Sequence, residues 1–565
     1  MNNLTIKLIH TTDTHGCFFP FDFIEGRPCS GSMARISTYV KRMRSKYGNR
    51  FLLVDGGDIL QGQPTCYYCN FVQPQMKNVA ARVINFMRYD LQTIGNHDIE
   101  TGHAVYDKYA AELDCDLLAA NVVNEVTLKP YFKPYAIRNI EGVKIAFIGM
   151  LTPTIPYWLQ KDLWSGMKFL DIPSCMAQWV KHVREVEHAD AVVALFHSGF
   201  DGGIQDANGS ENACVTTARN VPGVDLILCG HDHQLKREYV TNHGKEVCII
   251  NPSSNAHYVS ECSLCFEFNQ EGTPKLNAVK AQLRNIDNEN VDESFMEQFN
   301  KDIEQVKQYV SRKLGIFVHS IYTRDCFFRS APFGDLIHDI QLEHTGADIS
   351  LNAPLKFDAC IRKGDVHVSD LFNLYTYENQ LYVIKMTGKE LKKLLEMSYG
   401  QWITTMKSPD DHIMLMKQDD MGHWHWTNLA FNFDTAFGID YEVDVRQNYG
   451  KKVNILRMTN GQPFCEDKTY RVAMNSYRGN GGGELLTRGA GISLKELPNR
   501  IEYVSEKDQR SIIMDYIERH KVIDAKPHNN WCFVPMEWTE PALEHDYKLL
   551  FGKHQFINLN DLFSY

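Results

Sequence analysis

A chain of 565 residues is longer than one hydrophobic core organises, so two domains of roughly 200 to 300 residues each are expected. Hydrophobic residues make up 44% and charged ones 23%, the balance of a globular protein, and no apolar run approaches the ~18 residues that cross a bilayer, so no membrane partner is expected. With 59 basic and 70 acidic side chains the net charge is -11 and no basic block stands out, which argues against a nucleic-acid polymer as partner but not against a single nucleotide.

The opening MNNLTIKLIHTTDTHG has no basic segment leading into an apolar one, and a strand is predicted from Leu4; as written, the chain is expected in the cytoplasm, and as a monomer. A helix is predicted for MARISTYVKRMRSKY, and from Leu4 to about Asn269 apolar β-rich runs alternate with helical ones, the pattern of a layered α/β domain. The fifteen cysteines are expected to be thiols in a reducing compartment. Of the two CxxC pairs, Cys66/Cys69 and Cys262/Cys265, the second lies in the strand-like ECSLCFEF, where residues three apart point to opposite faces and make a poor ligand pair. In FMEQFNKDIEQVKQYV, Phe295, Phe299, Ile303, Val306 and Val310 form one apolar helical stripe, predicted as a connecting helix over 291–315 after a first domain of 1–290. A second domain over 316–525 mixes strands such as QLYVIKM with helices such as GKELKKLLEMS, and the aromatic tail 526–565 is too apolar for disorder and is expected to pack on the body.

Five polar clusters each follow a short apolar run: DTH after LTIKLIHTT, GGD after RFLLVD, GNHD after LQTI, HSG after AVVALF, and GHDH after VDLILC. The carboxyl ends of strands in an α/β sheet open on one edge, so these clusters converge in space. They bring Asp13, His15, Asp58, Asn96, His197, His231 and His233 together, a mixture of carboxylate, amide and imidazole suited to borderline divalent ions, with Mn, Zn, Co and Fe all admissible. Seven donors exceed one tetrahedral ion and suit two ions bridged by a carboxylate, for which Asp58 is the candidate, activating water for in-line displacement at phosphorus. His97 is the candidate proton donor near the leaving oxygen, oriented by Glu100 or, alternatively, Asp98.

In this order, DTH, GGD, GNHD, HSG and GHDH resemble the calcineurin-like metallophosphoesterases, in particular their two-domain 5'-nucleotidase branch, and GSMARISTYV resembles that branch's first helix. The resemblance implies a four-layer α/β/β/α metallophosphoesterase domain followed by an α+β nucleotide-binding domain. It implies one ion held by Asp13, His15, Asp58 and His233, the other by Asp58, Asn96, His197 and His231, and a catalytic pair at His97 and Glu100, where the family usually has Asp in place of the Glu. APFGDLIHDIQLEHTGADISL, LYTYENQLYVIKMTGKEL and VAMNSYRGNGGGELL resemble the nucleotide-binding domain, and with FDTAFGIDYEVDV they are most similar to the 2',3'-cyclic-nucleotide 2'-phosphodiesterases that are also 3'-nucleotidases.

In that branch, TYEN and NSYRGNGGG correspond to segments whose rings clamp the base, which places Tyr377 and Tyr477 here. Stacking of ~1 to 3 kcal/mol per base without base identity suits an enzyme of several nucleotides. Gly481, Gly482 and Gly483 allow close backbone approach without a GK[ST] phosphate loop, and Asn379 and Arg478 are candidates for contacting base or ribose. The expectation is a dinuclear metal hydrolase of nucleotide phosphoesters, with turnover accompanied by rotation about the linker. The alternatives are a 5'-nucleotidase or UDP-sugar hydrolase, a nucleotide-binding protein without turnover, and a periplasmic or extracellular location for a chain trimmed of its signal.

Overall fold

In the first unit, which runs to Ser311, apolar residues alternate along strands whose two faces are both buried. The computed structural model describes residues 3–206, 209–419 and 421–552. It forms strands β1 (Asn3–Thr11), β2 (Phe51–Asp55), β3 (Leu91–Thr93), β4 (Asp116–Leu118), β5 (Tyr135–Ile140), β6 (Val143–Leu151), β7 (Ala191–His197), β8 (Leu226–Cys229), β9 (Leu235–Asn242), β10 (Lys245–Pro252), β11 (Tyr258–Phe268) and β12 (Pro274–Asn285). They build two six-stranded sheets, in the orders β12-β11-β1-β2-β3-β4 and β9-β10-β8-β7-β6-β5.

Leu4, Ile6 and Leu8 of β1, Leu52 and Val54 of β2, Phe147 of β6, Val193 and Leu195 of β7 and Leu228 of β8 meet in one core between the sheets. The residues between them, such as Leu53 on one sheet and Val192, Ala194 and Phe196 on the other, face outward under helices. The layers are therefore α/β/β/α, as expected. Cys262 lies in the inter-sheet core while Cys265 is half-buried on the other side of β11, and all fifteen cysteines are thiols.

Helix α1 (Met33–Tyr47) begins at Ser32, whose hydroxyl accepts from Arg35 N, and buries Met33, Ile36, Tyr39 and Val40. The helix predicted as a connector, α2 (Glu293–Val310), starts at Asp292, whose carboxylate accepts from Ser294 N and Phe295 N. Its stripe of Phe295, Phe299, Ile303, Val306 and Val310 packs into the outer core of the first unit, and Asp302 pairs in two bonds with Arg82, 2.6 and 2.9 Å. Burying each Phe stabilises by about 1.5–3 kcal/mol, so this helix is part of the first unit's body.

The second unit, from Arg312, centres on a five-stranded mixed sheet. Its strands are β13 (Ile349–Asn352), β14 (Gln380–Thr387), β15 (Thr435–Phe437), β16 (Thr469–Asn475) and β17 (Ile501–Asp508), ordered β15-β13-β16-β14-β17. Helix α3 (Gly388–Trp402) follows QLYVIKM directly, begun by a Thr387–Glu390 capping box. Of the tail, Trp531–Val534 adds a parallel strand beside Ile439–Asp444, and Trp531 and Phe533 join Tyr399, Trp402 and Tyr441 in the core. Of the tail expected over 526–565, residues 553–565 lie outside the described residues. Among the described residues no helix is long and apolar enough to cross a membrane.

Candidate active site

β1, β2 and β3 run parallel in one sheet, β6, β7 and β8 in the other. Their carboxyl ends deliver Asp13 and His15, Asp58, Asn96 and His97, His197, and His231 and His233. Five of these leave the strands through left-handed backbone: Asp13 (φ 49°), His15 (47°), Asp58 (56°), His231 (74°) and His233 (54°). Such a conformation costs on the order of 1–3 kcal/mol for each residue with a side chain. Main-chain bonds hold it in place: Asp13 N donates to Gly57 O at 2.9 Å, His15 N to Asp58 O at 3.0 Å, and His231 N to both Asp13 carboxylate oxygens at 3.1 Å. The glycines of the motifs have a matching reason. A Cβ on Gly95 would fall on Asp58 Oδ1, and one on Gly230 on Thr12 Oγ1.

The imidazoles are fixed so that electron pairs face electron pairs. His197 Nδ1 donates to Gly56 O at 2.7 Å, so in the neutral ring Nε2 is a bare acceptor, yet it faces Asp58 Oδ2 at 3.1 Å and Asn96 Oδ1 at 3.0 Å. His15 Nδ1 donates to Gln61 O at 3.2 Å, which turns its Nε2 toward His233 Nε2, 3.1 Å away and itself 3.3 Å from Asp13 Oδ1. His231 Nε2 meets a Glu211 oxygen at 3.0 Å, leaving Nδ1 against Asn96 Oδ1 at 2.8 Å. With neutral rings, His197 Nε2 and His231 Nδ1 each set a lone pair against an oxygen acceptor, and either a proton or a cation between them resolves such a contact.

The electrostatics agree. Burial favours a neutral His197, but the Asp58 and Asp13 carboxylates push it up to about 10, so without an ion this ring carries the positive charge itself. Burial alone would raise Asp58, yet the rings of His197, His97 and His15 hold it well below the carboxylate range. His15, shielded from water, is lowered to about 4 and stays neutral, as a ligand must be. Asp13, His15 and His233 offer ligand atoms within 4.8 Å of one another, and so do Asp13, Asp58 and His197. The donors fit two divalent ions.

The two acids beside His97 differ in what they hold. Glu100 Oε2 accepts from His97 Nδ1 at 2.5 Å, across one turn of the short helix Asn96–Glu100. Asp98, 1% exposed, accepts from Gly95 N (2.8 Å) and from Asp58 N, Ile59 N and Leu60 N (2.9 Å each). Its four amide bonds leave it as the brace of the Asp58 loop, which corrects the expectation that it might orient His97. Sequence reasoning missed Glu211 and Trp158, whose ring lies 5.5 Å from His231. Glu211 sits on an irregular segment and Trp158 ends the four-residue helix Ile155–Trp158, too short for a periodicity to single it out.

In the second unit, Leu381 lies opposite Asn475, so the loop carrying Tyr377 and Asn379 and the turn carrying Tyr477 to Gly482 share one edge of the β14–β16 pair. Tyr477 is half-buried, its ring over Gly482 and edge-on to Phe431 at 5.9 Å and 88°. Phe431, two residues before FDTAFGID, is a ring the sequence reading did not include. Asn379 is a buried stitch, its backbone oxygen accepting from Gln509 N at 2.8 Å and its amide reaching Tyr375 Oη at 3.4 Å. Arg478, expected to meet base or ribose, is 2% exposed, and two 2.8 Å bonds from Nε and Nη2 join it to Asp434, while Nη2 also donates to Phe431 O and Nη1 to Gly482 O. It anchors the turn to the Phe431 segment instead of offering a cation, a correction that follows from the cost of burying an unpaired guanidinium.

Residues 6–235 match the Calcineurin-like phosphoesterase family and 307–488 the 5'-nucleotidase, C-terminal domain. The chain is 26% identical over 95% of its length to the trifunctional nucleotide phosphoesterase protein YfkN of Bacillus subtilis, of which it spans 39%. It is 25% identical, over 95% of its length and 88% of the relative's, to the 2',3'-cyclic-nucleotide 2'-phosphodiesterase/3'-nucleotidase of Haemophilus influenzae. A Staphylococcus aureus protein named as a 5'-nucleotidase shares the fold, with a TM-score of 0.78 and 19% identity over 94% of this chain and 100% of that one. The chain thus carries a calcineurin-like phosphoesterase domain over 6–235 and a 5'-nucleotidase C-terminal domain over 307–488, and it is a metal-dependent phosphoric ester hydrolase.

Proposed function

We propose that this hydrolase opens 2',3'-cyclic nucleotides at the 2' ester bond and removes the 3'-phosphate of the product. The observation that carries the reading is likeness along nearly the whole chain to enzymes named for both steps, from Haemophilus influenzae, Yersinia enterocolitica and Salmonella typhimurium, at 24–25% identity over 95% of this chain and 88–90% of theirs. Asp13, His15, Asp58 and His233 would hold one ion, Asp58, Asn96, His197 and His231 the other, an assignment supported by the acceptor contacts above. When bound, the two ions neutralise the phosphate charge and supply Lewis-acid activation. His97 N donates to Asp58 Oδ1 at 2.8 Å, which ties the ring's backbone to the shared carboxylate. With Nδ1 fixed by Glu100, Nε2 is the nitrogen that passes a proton to the leaving ribose oxygen. Tyr477 and Phe431, with Tyr377 at the same sheet edge, offer aromatic faces for the base.

Fifteen free thiols support a reducing compartment, the cytoplasm, and we place the chain there as a monomer. Cell fractionation and light scattering test those two points. Activity is tested by phosphate release from 2',3'-cyclic, 3' and 5' nucleotides, with Mn, Zn, Co or Fe restored after chelation. Turnover of the cyclic and 3' substrates above the 5' ones is expected. A 5' preference would favour the activity of the 5'-nucleotidase of Vibrio parahaemolyticus, a relative 20% identical over 93% of this chain, and a flat response would remove the choice.

A further inference from the structure

His231 is held at both ring nitrogens. Nδ1 faces Asn96 Oδ1 at 2.8 Å and Nε2 faces Glu211 Oε1 at 3.0 Å. Glu211 is itself fixed: its Oε2 accepts from Ile204 N at 2.7 Å, its own N donates to Ile204 O at 2.8 Å, and its carbonyl accepts from Ser198 Oγ at 2.8 Å. Gly203, in left-handed backbone (φ 73°), lets the loop close over the carboxylate, since a Cβ there would collide with Oε2. The side chain is only 18% exposed. A carboxylate can only accept, so the imidazole proton sits on Nε2 and the lone pair on Nδ1 is aimed inward.

We propose that Glu211 is the positioning residue that selects the tautomer of His231 and so sets the affinity of one of the two metal positions. This rests on the reading of His231 as a ligand. It predicts an order of variants that a merely structural residue would not give. In Glu211→Gln the Ile204 N–H fixes which way the amide lies: its oxygen stays on Ile204, and its NH2 turns to His231 Nε2. The proton is then driven to Nδ1, where it blocks the lone pair. Glu211→Ala removes the same charge but admits water, which accepts the Nε2 proton.

The test uses the full chain stripped by chelator and titrated with Co(II), followed by calorimetry and by the visible absorption of the ion. Wild type should take two ions per chain. Glu211→Gln should weaken one of them about 10- to 100-fold, and Glu211→Ala should weaken the same one less. Saturating Co(II) should restore the kcat of the Gln variant, which also shows that it is folded. Wild-type affinity in the Gln variant, or an Ala variant weaker than it, overturns the proposal while leaving His231 a ligand. Two undiminished ions in His231→Ala would overturn the ligand reading and this proposal with it.

Discussion

Replacing Asp98 by Asn separates bracing from catalysis. Asp98 Oδ1 accepts from Ile59 N and Leu60 N, and Oδ2 from Asp58 N and Gly95 N. An asparagine keeps the first pair but turns NH2 toward the second, so two buried N–H groups lose their acceptor. At about 1–3 kcal/mol each, the loss is about 2–6 kcal/mol, a large part of a domain's usual stability of about 5–15 kcal/mol. Hydrogen exchange at the Asp58 and Gly95 amides should accelerate, the urea midpoint should fall, and metal affinity should drop with the loop that carries Asp58. Glu100→Gln is the matched contrast. Its amide oxygen still accepts from His97 Nδ1, so stability should stay within about 0.5 kcal/mol, whereas kcat falls because the imidazolium loses its counter-charge. An Asp98→Asn protein with native exchange and midpoint, or a Glu100→Gln protein at full kcat, would refute the division of roles.

Arg478→Ala leaves the Asp434 carboxylate buried without its partner and should destabilise the second unit by about 3–5 kcal/mol; a pure rise in KM with an unchanged melting curve would mean that Arg478 binds substrate after all. Tyr477→Ala should raise KM about 5-fold or more for purine and pyrimidine substrates alike, the equivalent of losing at least ~1 kcal/mol of stacking, and a loss confined to one base would contradict a sequence-tolerant face. Asp292, despite burial, is held at about 2 by Lys41, Ser37 and Ser294, below its ordinary 3.8. A depressed folded value means that its stabilisation is complete above about pH 4 and is lost as pH falls through about 2. Asp292→Asn should therefore flatten acid denaturation in that window, and parallel curves for the two proteins would argue against it.

The strands and the seven donors were legible because a strand buried on both faces ends abruptly in polar residues, and in a parallel sheet such ends share an edge. GKELKKLLEMS and MARISTYVKRMRSKY were legible from their stripes. The stripe of Glu293–Val310 gave the helix but not its owner, since an apolar face says that something is covered and not by what; Phe19, Phe86 and Arg82 decide it. Arg478 looked like a free cation because Asp434 lies 44 residues away in sequence and only the fold joins them. Glu211 sits in an irregular segment and Phe431 in the single 3₁₀ turn Ala430–Asn432, where side-chain direction depends on turns that no period encodes. Between Asp98 and Glu100 spacing alone was ambiguous, and the one-turn geometry of Asn96–Glu100 settles which carboxylate meets His97.

The left-handed backbone at Asp13, His15, Asp58, His231 and His233 has a consequence for metal exchange. Because that curvature is fastened by the chain's own hydrogen bonds, from backbone amides to carbonyls and to the Asp13 and Asp98 carboxylates, the donors form a rigid socket. Chelation then empties it without letting it collapse, and refilling needs no refolding. Which borderline ion the enzyme carries becomes a matter of supply in the cell more than of the shape of the protein.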